Sequence, residues 1–394
     1  MKTKINSKNI KLILALTLMT ALVMPSNAQE FKPSGKMFGQ FFGDLYYKAV
    51  SDTTAGAFNK YGSGNSEFSN VKTKNAAFTA RRLYLGYQYN ISPDFTSKII
   101  LESNDAILTN AGDKTVFVKL AEVEWKNIIP RASIFIGQIF TPAFPMTTEK
   151  IWNYRAVEKT ISDMQKLTNA VDLGIRVTGT IDTAGLFGYS LMVGNGRGAK
   201  PEDNGTQKYY GCLNAQLLKK KLYLEIYGDY EDVAAKFRKG YSGKITTKGF
   251  VAYKSAKLTV GIEVPYQIQG DCKINTDPLN GKKDTLALAS MGFSFFAYGT
   301  IVKEKLNVFG RFDTYQTDSQ YKKGDNSRSY DDTFMTVGFD WTPRKNMHFI
   351  PNIYISVYKD KREKPANYNI ASMAGLYYER SADVIPRLTY SFIF

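Results

Sequence analysis

The chain has 394 residues, with 52 Lys and Arg against 36 Asp and Glu, which gives a formal net charge of +16. Aromatic residues make up 14% of the chain, yet its mean hydropathy is −0.29. One His and two Cys exclude a disulfide-rich scaffold and argue against a clustered metal site, so we expect no metal and no cofactor. An aromatic-rich chain that is polar on average suits a fold in which apolar and polar residues alternate.

The start of the chain has the three parts of a secretory signal peptide. Four lysines and no acid precede an apolar run from Leu12 to Val23, and Ser26 and Ala28 occupy the −3 and −1 positions of a cleavage site. This run is too short to span a bilayer as a helix. We therefore predict a signal peptide at residues 1–28 and a single mature domain at residues 29–394.

Apolar and polar residues then alternate with the period of two that is typical of strands. In the window Val171–Ile181, Leu173 and Ile175 share one face, while Asp172 and Arg176 share the other. The same pattern recurs in four later windows: Leu222–Tyr230, Leu258–Gln267, Leu306–Tyr315 and Phe349–Tyr358. Such windows predict strands with one face toward lipid and one toward water.

The connections between these strands alternate between short and long. Short connections are predicted at Asn90–Asp94, Asp182–Gly185, Leu218–Lys221, Lys254–Lys257 and Thr342–Asn346. Long connections cover residues 51–76, 140–170, 196–208, 231–243, 268–285, 316–331 and 359–383. The pattern predicts an all-β fold, a transmembrane antiparallel β-barrel of about 16 strands with short periplasmic turns and long external loops. A soluble all-β protein is the alternative, but it would not need charges on the polar face of strand after strand.

Two segments far apart in the chain are predicted to close this barrel. Every backbone N–H and C=O in lipid must be paired, so the first strand has to meet the last. Gly35–Lys48 supplies the first strand and Arg387–Phe394 the last. On the last strand Tyr390, Phe392 and Phe394 are expected to face lipid and to form the signal for assembly.

The predicted lumen face carries charges of both signs. Its bases are Arg82, Lys98, Lys119, Arg176, Lys248, Arg311 and Arg387, and its acids are Asp44, Glu102, Asp172, Glu225, Asp229, Glu263, Asp313 and Asp340. Most of the excess positive charge falls in the predicted periplasmic turns, where it is a weak filter because charges beyond about 10 Å are screened. The mixture predicts a pore that admits polar solutes of either sign.

The longest insertion between strands, residues 141–170, is the candidate constriction loop. The residues predicted to line the solute path are Lys150, Arg155, Lys159, Arg176, Arg311 and Asp313. The three loop cations are expected to face the two strand arginines across the narrowest point. The alternative is a loop that lies over the rim of the barrel with its charges solvated.

Several segments together carry a resemblance to a known family. They are "RRLYLGYQYNISPDFTSKIILE" (Arg81–Glu102), "WKNIIPRASIFIGQIFTPAF" (Trp125–Phe144), "AVDLGIRVTG" (Ala170–Gly179), "YSLMVGNG" (Tyr189–Gly196), "LNVFGRFDTY" (Leu306–Tyr315) and "YSFIF" (Tyr390–Phe394). Their order across the mature chain resembles Bacteroidetes outer-membrane porins and, more widely, the phosphate-selective porin O and P family.

This resemblance implies a 16-stranded barrel in the outer membrane of a Gram-negative bacterium, a homotrimer, and passive diffusion of small anions or other hydrophilic solutes. It also implies contact with outer-membrane lipids and recognition of the last strand by the barrel-assembly machinery. Arginine suits phosphate capture better than lysine does, and no clustered arginine track is visible in this lysine-rich chain. The resemblance therefore does not carry phosphate specificity with it.

Three functions stay open at this point. They are a diffusion porin with a weak preference for anions, a phosphate- or oligophosphate-selective porin, and a structural or adhesive barrel with a blocked lumen. A ligand-gated transporter would need a plug domain, and Lys36 comes only seven positions after Gln29, so no plug is expected.

Neither an enzyme nor a nucleic-acid-binding protein is favoured. No residue near His348 suggests a catalytic triad. The segment "GNGRGAK" (Gly194–Lys200) resembles a phosphate-binding loop only faintly, because it lacks the GK[ST] ending and leads into another strand. Cys212 and Cys272 could form a disulfide in an oxidising compartment or remain two thiols.

Overall fold

The computed structural model describes residues 31–50, 73–104, 113–234, 239–276, 283–320, 330–360 and 381–394. The predicted signal peptide lies outside these residues, as do parts of several predicted long loops. No helix within these ranges is both long enough and apolar enough to cross a membrane.

Within the described ranges, sixteen strands follow one another along the chain. They are β1 (Ser34–Tyr47), β2 (Ala76–Asn90), β3 (Phe95–Asn104), β4 (Phe117–Ile129), β5 (Ala132–Phe140), β6 (Val171–Thr180), β7 (Phe187–Gly194), β8 (Lys208–Leu217), β9 (Leu222–Ala234), β10 (Tyr241–Lys254), β11 (Leu258–Thr276), β12 (Lys283–Val302), β13 (Leu306–Gln316), β14 (Tyr330–Arg344), β15 (Met347–Asp360) and β16 (Ser381–Ile393). Two short helices, α1 (Thr148–Trp152) and α2 (Ile161–Met164), lie between β5 and β6.

The strands form one closed antiparallel barrel. Each strand pairs with its neighbours in sequence, and β1 also pairs with β16, from Gln40 opposite Ile393 to Tyr46 opposite Arg387. Closure leaves no edge strand with unpaired backbone groups, which is the condition for a sheet to span lipid. The predicted closed barrel of about 16 antiparallel strands is confirmed.

The two faces of the barrel differ as the alternation predicts. On β6 and β9 the side chains of Ile175 and Ile226 are 52% and 63% exposed on the outside, while Arg176 and Glu225 beside them are buried inside. The outer face is therefore apolar and the inner face polar, as in barrels that cross a membrane.

Two of the predicted long connections are shorter than expected because the strands continue through them. Lys244 of β10 pairs with Glu231 of β9, and Asn275 of β11 pairs with Asp284 of β12. The predicted connections at residues 231–243 and 268–285 were thus too long. Strand ends that project beyond the bilayer need no apolar face, so alternation of hydropathy does not mark them.

The seam between β1 and β16 depends on glycine. Gly39 and Phe394 exchange two backbone hydrogen bonds, of 2.9 and 3.0 Å. The Phe394 ring lies over Gly39, where a Cβ atom would overlap the ring and approach the carbonyl oxygen of Tyr84 to 2.6 Å. A second pair repeats the arrangement, since the Tyr390 ring lies over Gly43.

We expect Gly39→Ala to lower the fraction of folded barrel, because the new methyl group meets a backbone oxygen that cannot move aside. Such overpacking typically costs about 1–3 kcal/mol. Heat-modifiable mobility on denaturing gels measures the folded fraction. The matched control is Gly249→Ala, since an added Cβ at Gly249 meets nothing within 4 Å. Equal folded fractions for the two variants would contradict this account of the seam.

Candidate solute pathway

The 141–170 loop folds into the barrel. Its ends are joined where the Thr141 N–H donates to the Ala170 carbonyl at 3.0 Å. Between these ends, Trp152, Val157 and Ile161 are 0–1% exposed. A loop over the rim would leave such apolar side chains in water, so the alternative of a solvated rim loop does not fit this placement.

An apolar cradle on the inner wall receives helix α1. Trp152 packs against Phe296 with ring centroids 5.1 Å apart, and Tyr154 stacks on Phe309 at 4.5 Å. Phe250 and Ile350 complete the same buried cluster. The cradle spans β10 to β15, and it accounts for inward-facing apolar residues that a purely polar lumen would not need.

Hydrogen bonds from the inner wall satisfy carbonyl groups of the 141–170 loop. The Arg387 guanidinium donates to the Val157 carbonyl at 2.7 Å, and the Tyr298 hydroxyl donates to the Ile151 carbonyl at 2.9 Å. Four further donors bond other carbonyls of the loop: Arg81 to Ala156, Lys248 to Ala143, Gln267 to Leu167 and Arg311 to Lys159. These donors replace the water that an exposed loop would use.

The loop packs mainly against the wall from β7 to β16, so the open part of the lumen is on the side of β1–β5. A cavity of about 610 Å³ remains there between the loop and the wall. It extends from Asn104 and Phe117, at the end of the barrel that carries the long connections, to Ile393 and Phe394 at the other end. This cavity is the candidate solute pathway.

Charged side chains from both the wall and the 141–170 loop line this cavity. The bases are Arg82, Lys119, Lys150, Arg155 and Lys159, and the acids are Glu102, Glu149 and Asp163. On the wall, Glu102 accepts from Arg82 at 2.8 Å and lies 3.2 Å from Lys119. On the loop, Arg155 lies 3.2 Å from Glu149 and 3.6 Å from Asp163.

Lys150 differs from the other cavity bases. No carboxylate of the described residues lies within ion-pair distance of it, and its side chain is exposed to the cavity. Partial enclosure inside the barrel lowers the pKa of the Lys150 ammonium, and the nearby positive charges of Lys98 and Arg176 lower it further, whereas Glu149 raises it. Two cations and one carboxylate thus act on Lys150, and this positive balance favours anions beside it.

The structure brings together only part of the predicted site. Lys150, Arg155 and Lys159 line the cavity as a group, but the side chains that face them are Arg82, Glu102 and Lys119. The two strand arginines expected to face them do not line the cavity, although Arg176 lies near Lys150 and Arg311 bonds the Lys159 carbonyl. Alternation assigns a side chain to the lumen, but it cannot tell which half of the lumen a loop will fill.

Arg311 and Asp313 lie behind the loop, away from the cavity lining. Arg311 makes two hydrogen bonds to Asp313, of 2.9 and 2.5 Å, and its guanidinium lies 5.2 Å from the Trp152 ring centre. Arg176 is also buried, and it packs 4.1 Å from the Phe135 ring centre while bonding the Phe140 carbonyl. All three hold the loop and its base in place.

One functional residue was missed by the alternation. Arg81 and Arg82 are adjacent, yet both are buried inside, because the pairing of β1 with β2 shifts register between Phe42 and Asp44. The bulge turns Arg81 inward, where it pairs with Asp44. The signal was available in the sequence, since a charged residue on the lipid face of a strand is costly and a doubled arginine therefore implies a bulge.

The glycine-rich segment at Gly194–Lys200 holds an internal carboxylate. Asp172 accepts hydrogen bonds from the N–H groups of Gly196 at 2.7 Å and Gly198 at 3.1 Å, and from the Tyr210 hydroxyl at 2.7 Å. These amides are therefore engaged within the protein, which supports the reading of the segment as an ordinary connection.

The last candidate residues from the sequence are His348, Cys212 and Cys272. His348 lies 2.9 Å from Asp340 near the turn between β14 and β15. No disulfide joins Cys212, which packs beside Tyr210 and Tyr227, to Cys272. Within the described ranges, no three His, Cys, Asp or Glu side chains are grouped as a metal site would require.

Comparison with known proteins gives no match by sequence and a clear match by fold. No protein-family model matches the chain, and no curated protein matches its sequence. The outer membrane channel DcaP of Acinetobacter baumannii is 11% identical, with a TM-score of 0.59 over 94% of this chain and 100% of that one. The anion-selective porin from Comamonas acidovorans is 11% identical, with a TM-score of 0.56 over 92% and 100%.

OmpF of Salmonella typhi is 10% identical, with a TM-score of 0.51 over 91% of this chain and 97% of that one. At such identities the likeness concerns the fold alone. This chain has the closed 16-stranded β-barrel fold of outer-membrane porins.

We expect Trp152→Ala to raise single-channel conductance, because the 141–170 loop loses the ring that holds it in its cradle. Removing a buried Trp typically costs about 3–5 kcal/mol. Conductance in a planar bilayer measures the change. The control is Trp341→Ala, whose ring is 52% exposed on the outer face. Equal conductance in both variants would show that the cradle does not keep the loop in the lumen.

Proposed function

We propose that this chain is an outer-membrane porin through which small hydrophilic solutes diffuse passively, with a weak preference for anions. The observation that carries the proposal is the cavity beside the 141–170 loop, which is lined by five bases and three acids of the described residues. A cavity whose lining residues come from both ends of the barrel favours a pore over a structural or adhesive barrel with a blocked lumen.

The charge arrangement supports a weak preference and not a dedicated anion site. Glu102 lies between Arg82 and Lys119, and Arg155 lies between Glu149 and Asp163. Most cavity charges are therefore partly neutralised by a neighbour of opposite sign. The positive excess rests mainly on Lys150, which suits transient attraction of anions.

Phosphate selectivity is the less favoured alternative. It would need several arginines free to form bidentate contacts with a phosphate. Arg81, Arg311 and Arg387 instead bond carbonyl groups of the 141–170 loop, and Arg176 bonds the carbonyl at its base. Membership of the phosphate-selective porin O and P family and a Bacteroidetes origin stay predictions.

The proposal also covers the location, the assembly and the partners of this porin. The apolar outer face supports a place among the lipids of a Gram-negative outer membrane, which the chain reaches by export with a signal peptide at residues 1–28 that is then cleaved. Tyr390, Phe392 and Phe394 stand at the end of the chain, where Phe392 and Phe394 are 45% and 46% exposed, and we assign all three to recognition by the barrel-assembly machinery. We also propose that the chain forms a homotrimer, that it has no enzymatic activity and that it binds no nucleic acid.

We expect Lys150→Glu to lower the ratio of anion to cation permeability. The expected factor is about two to ten, because a unit charge 4 Å from an ion contributes about 1 kcal/mol even in bulk water. The reversal potential in a potassium chloride gradient measures it. Lys303→Glu is the matched control, since the Lys303 side chain is 90% exposed on a turn outside the pathway. An unchanged reversal potential for Lys150→Glu would contradict the proposal.

We expect Arg155→Ala to shift selectivity toward cations more strongly than Lys159→Ala. Removal of the Arg155 guanidinium leaves Glu149 and Asp163 without the cation that lies between them. The same reversal-potential measurement compares the two variants. If neither variant alters selectivity or conductance, the 141–170 loop does not line the solute path.

A further inference from the structure

A strip of apolar side chains runs along the cavity wall beside the charged groups. Phe38, Tyr84, Ile100, Phe117 and Phe140 come from five successive strands, β1 to β5, and all line the cavity. The inner wall of a general diffusion pore is expected to be polar. Four aromatic rings on one side of the pathway therefore need an explanation.

Packing explains only part of this strip. Ile100 is buried with Leu120 and Val171, and it forms the base of the cluster. Phe38, Tyr84 and Phe140 pack on that base but are only partly buried. The Phe38 ring lies over Gly86, so the wall has no side chain between ring and backbone there. The rings thus cover the wall and present an apolar surface to a solute in the cavity.

Positively charged side chains lie beside this strip of apolar residues. The Arg82 guanidinium lies 5.9 Å from the Tyr84 ring centre, and its nitrogen is 3.2 Å from the Tyr84 hydroxyl. Lys119 belongs to the same wall, and Lys150 lines the same cavity from the loop. A solute in the pathway can therefore contact an apolar surface and a cation together.

The size of the cavity fits a small organic molecule. Sites for such ligands occupy about 300–1,000 Å³ and combine apolar and aromatic walls with a few polar groups. The cavity of about 610 Å³ falls within this range. Phosphate has no apolar surface to place on the rings, and a neutral alcohol would not use the cations.

We propose that the cavity contains a binding subsite for organic anions that join a carboxylate to a flat apolar body, with benzoate as the simplest example. The carboxylate lies toward the cations of the wall and of the loop, and the ring lies on the aromatic strip. This inference rests on the proposed porin function and narrows its class of solutes.

Current block in a planar bilayer tests the inference on the whole protein. Benzoate, acetate and benzyl alcohol are added separately at pH 8 to channels that conduct potassium chloride. We expect benzoate to half-block the current at a concentration at least about tenfold lower than acetate or benzyl alcohol, because only benzoate both buries a ring and carries a charge. This comparison needs no variant of the protein.

Two matched substitutions locate the effect. Phe117→Ser removes a ring from the cavity, and we expect it to raise the half-blocking concentration of benzoate about threefold to tenfold. Phe78→Ser removes a ring that is 78% exposed on the outside of β2, and it should leave block by benzoate unchanged. Equal effects of the two substitutions would overturn the assignment of the strip.

The possible failures are distinguishable. If the channel conducts but benzoate and acetate block it equally, the subsite is overturned and the porin function stands. If benzyl alcohol blocks as well as benzoate, the cations take no part and the anion subsite is overturned. If the barrels carry no current, the proposed porin function fails, and this inference fails with it.

Discussion

Pairing of every backbone N–H and C=O within the sheet is the constraint on which the rest of this structure depends. In lipid no water is available to satisfy an unpaired group, so the sheet must close. Closure joins β1 to β16, two strands separated by nearly the whole chain. The seam is held by aromatic rings that lie over glycines, which lets the two strands approach without a second side chain between them.

The interior imposes a similar requirement, because the 141–170 loop brings backbone groups into a space where little water remains. Each buried carbonyl then needs a donor. The inner wall supplies donors from β2, β10–β13 and β16, and an apolar cradle around Trp152 supplies the contact area. The loop is thus held mainly by β7–β16, and this asymmetry leaves the pathway beside β1–β5.

The sequence predicts the faces of the strands well because lipid and water impose a period of two on each of them. For this reason the sequence predicts that the Arg311 side chain faces the inside of the barrel. It does not predict that Arg311 lies behind the 141–170 loop. That position depends on contact with Lys159, which is about 150 residues away in the chain and invisible to a local pattern. Arg81 shows the other limit, since a single bulge between β1 and β2 reverses the face that alternation assigns.

The same contacts explain why a net charge of +16 says little about selectivity. Bonding of four arginines to the loop and its base keeps them out of the pathway, and the two arginines that line it, Arg82 and Arg155, are paired with acids. Selectivity therefore rests on the few charges that stay at the cavity, Lys150 foremost, and on what lies beside them. Aromatic rings lie beside them, so the solutes that gain most from this wall are those that combine one negative charge with apolar surface.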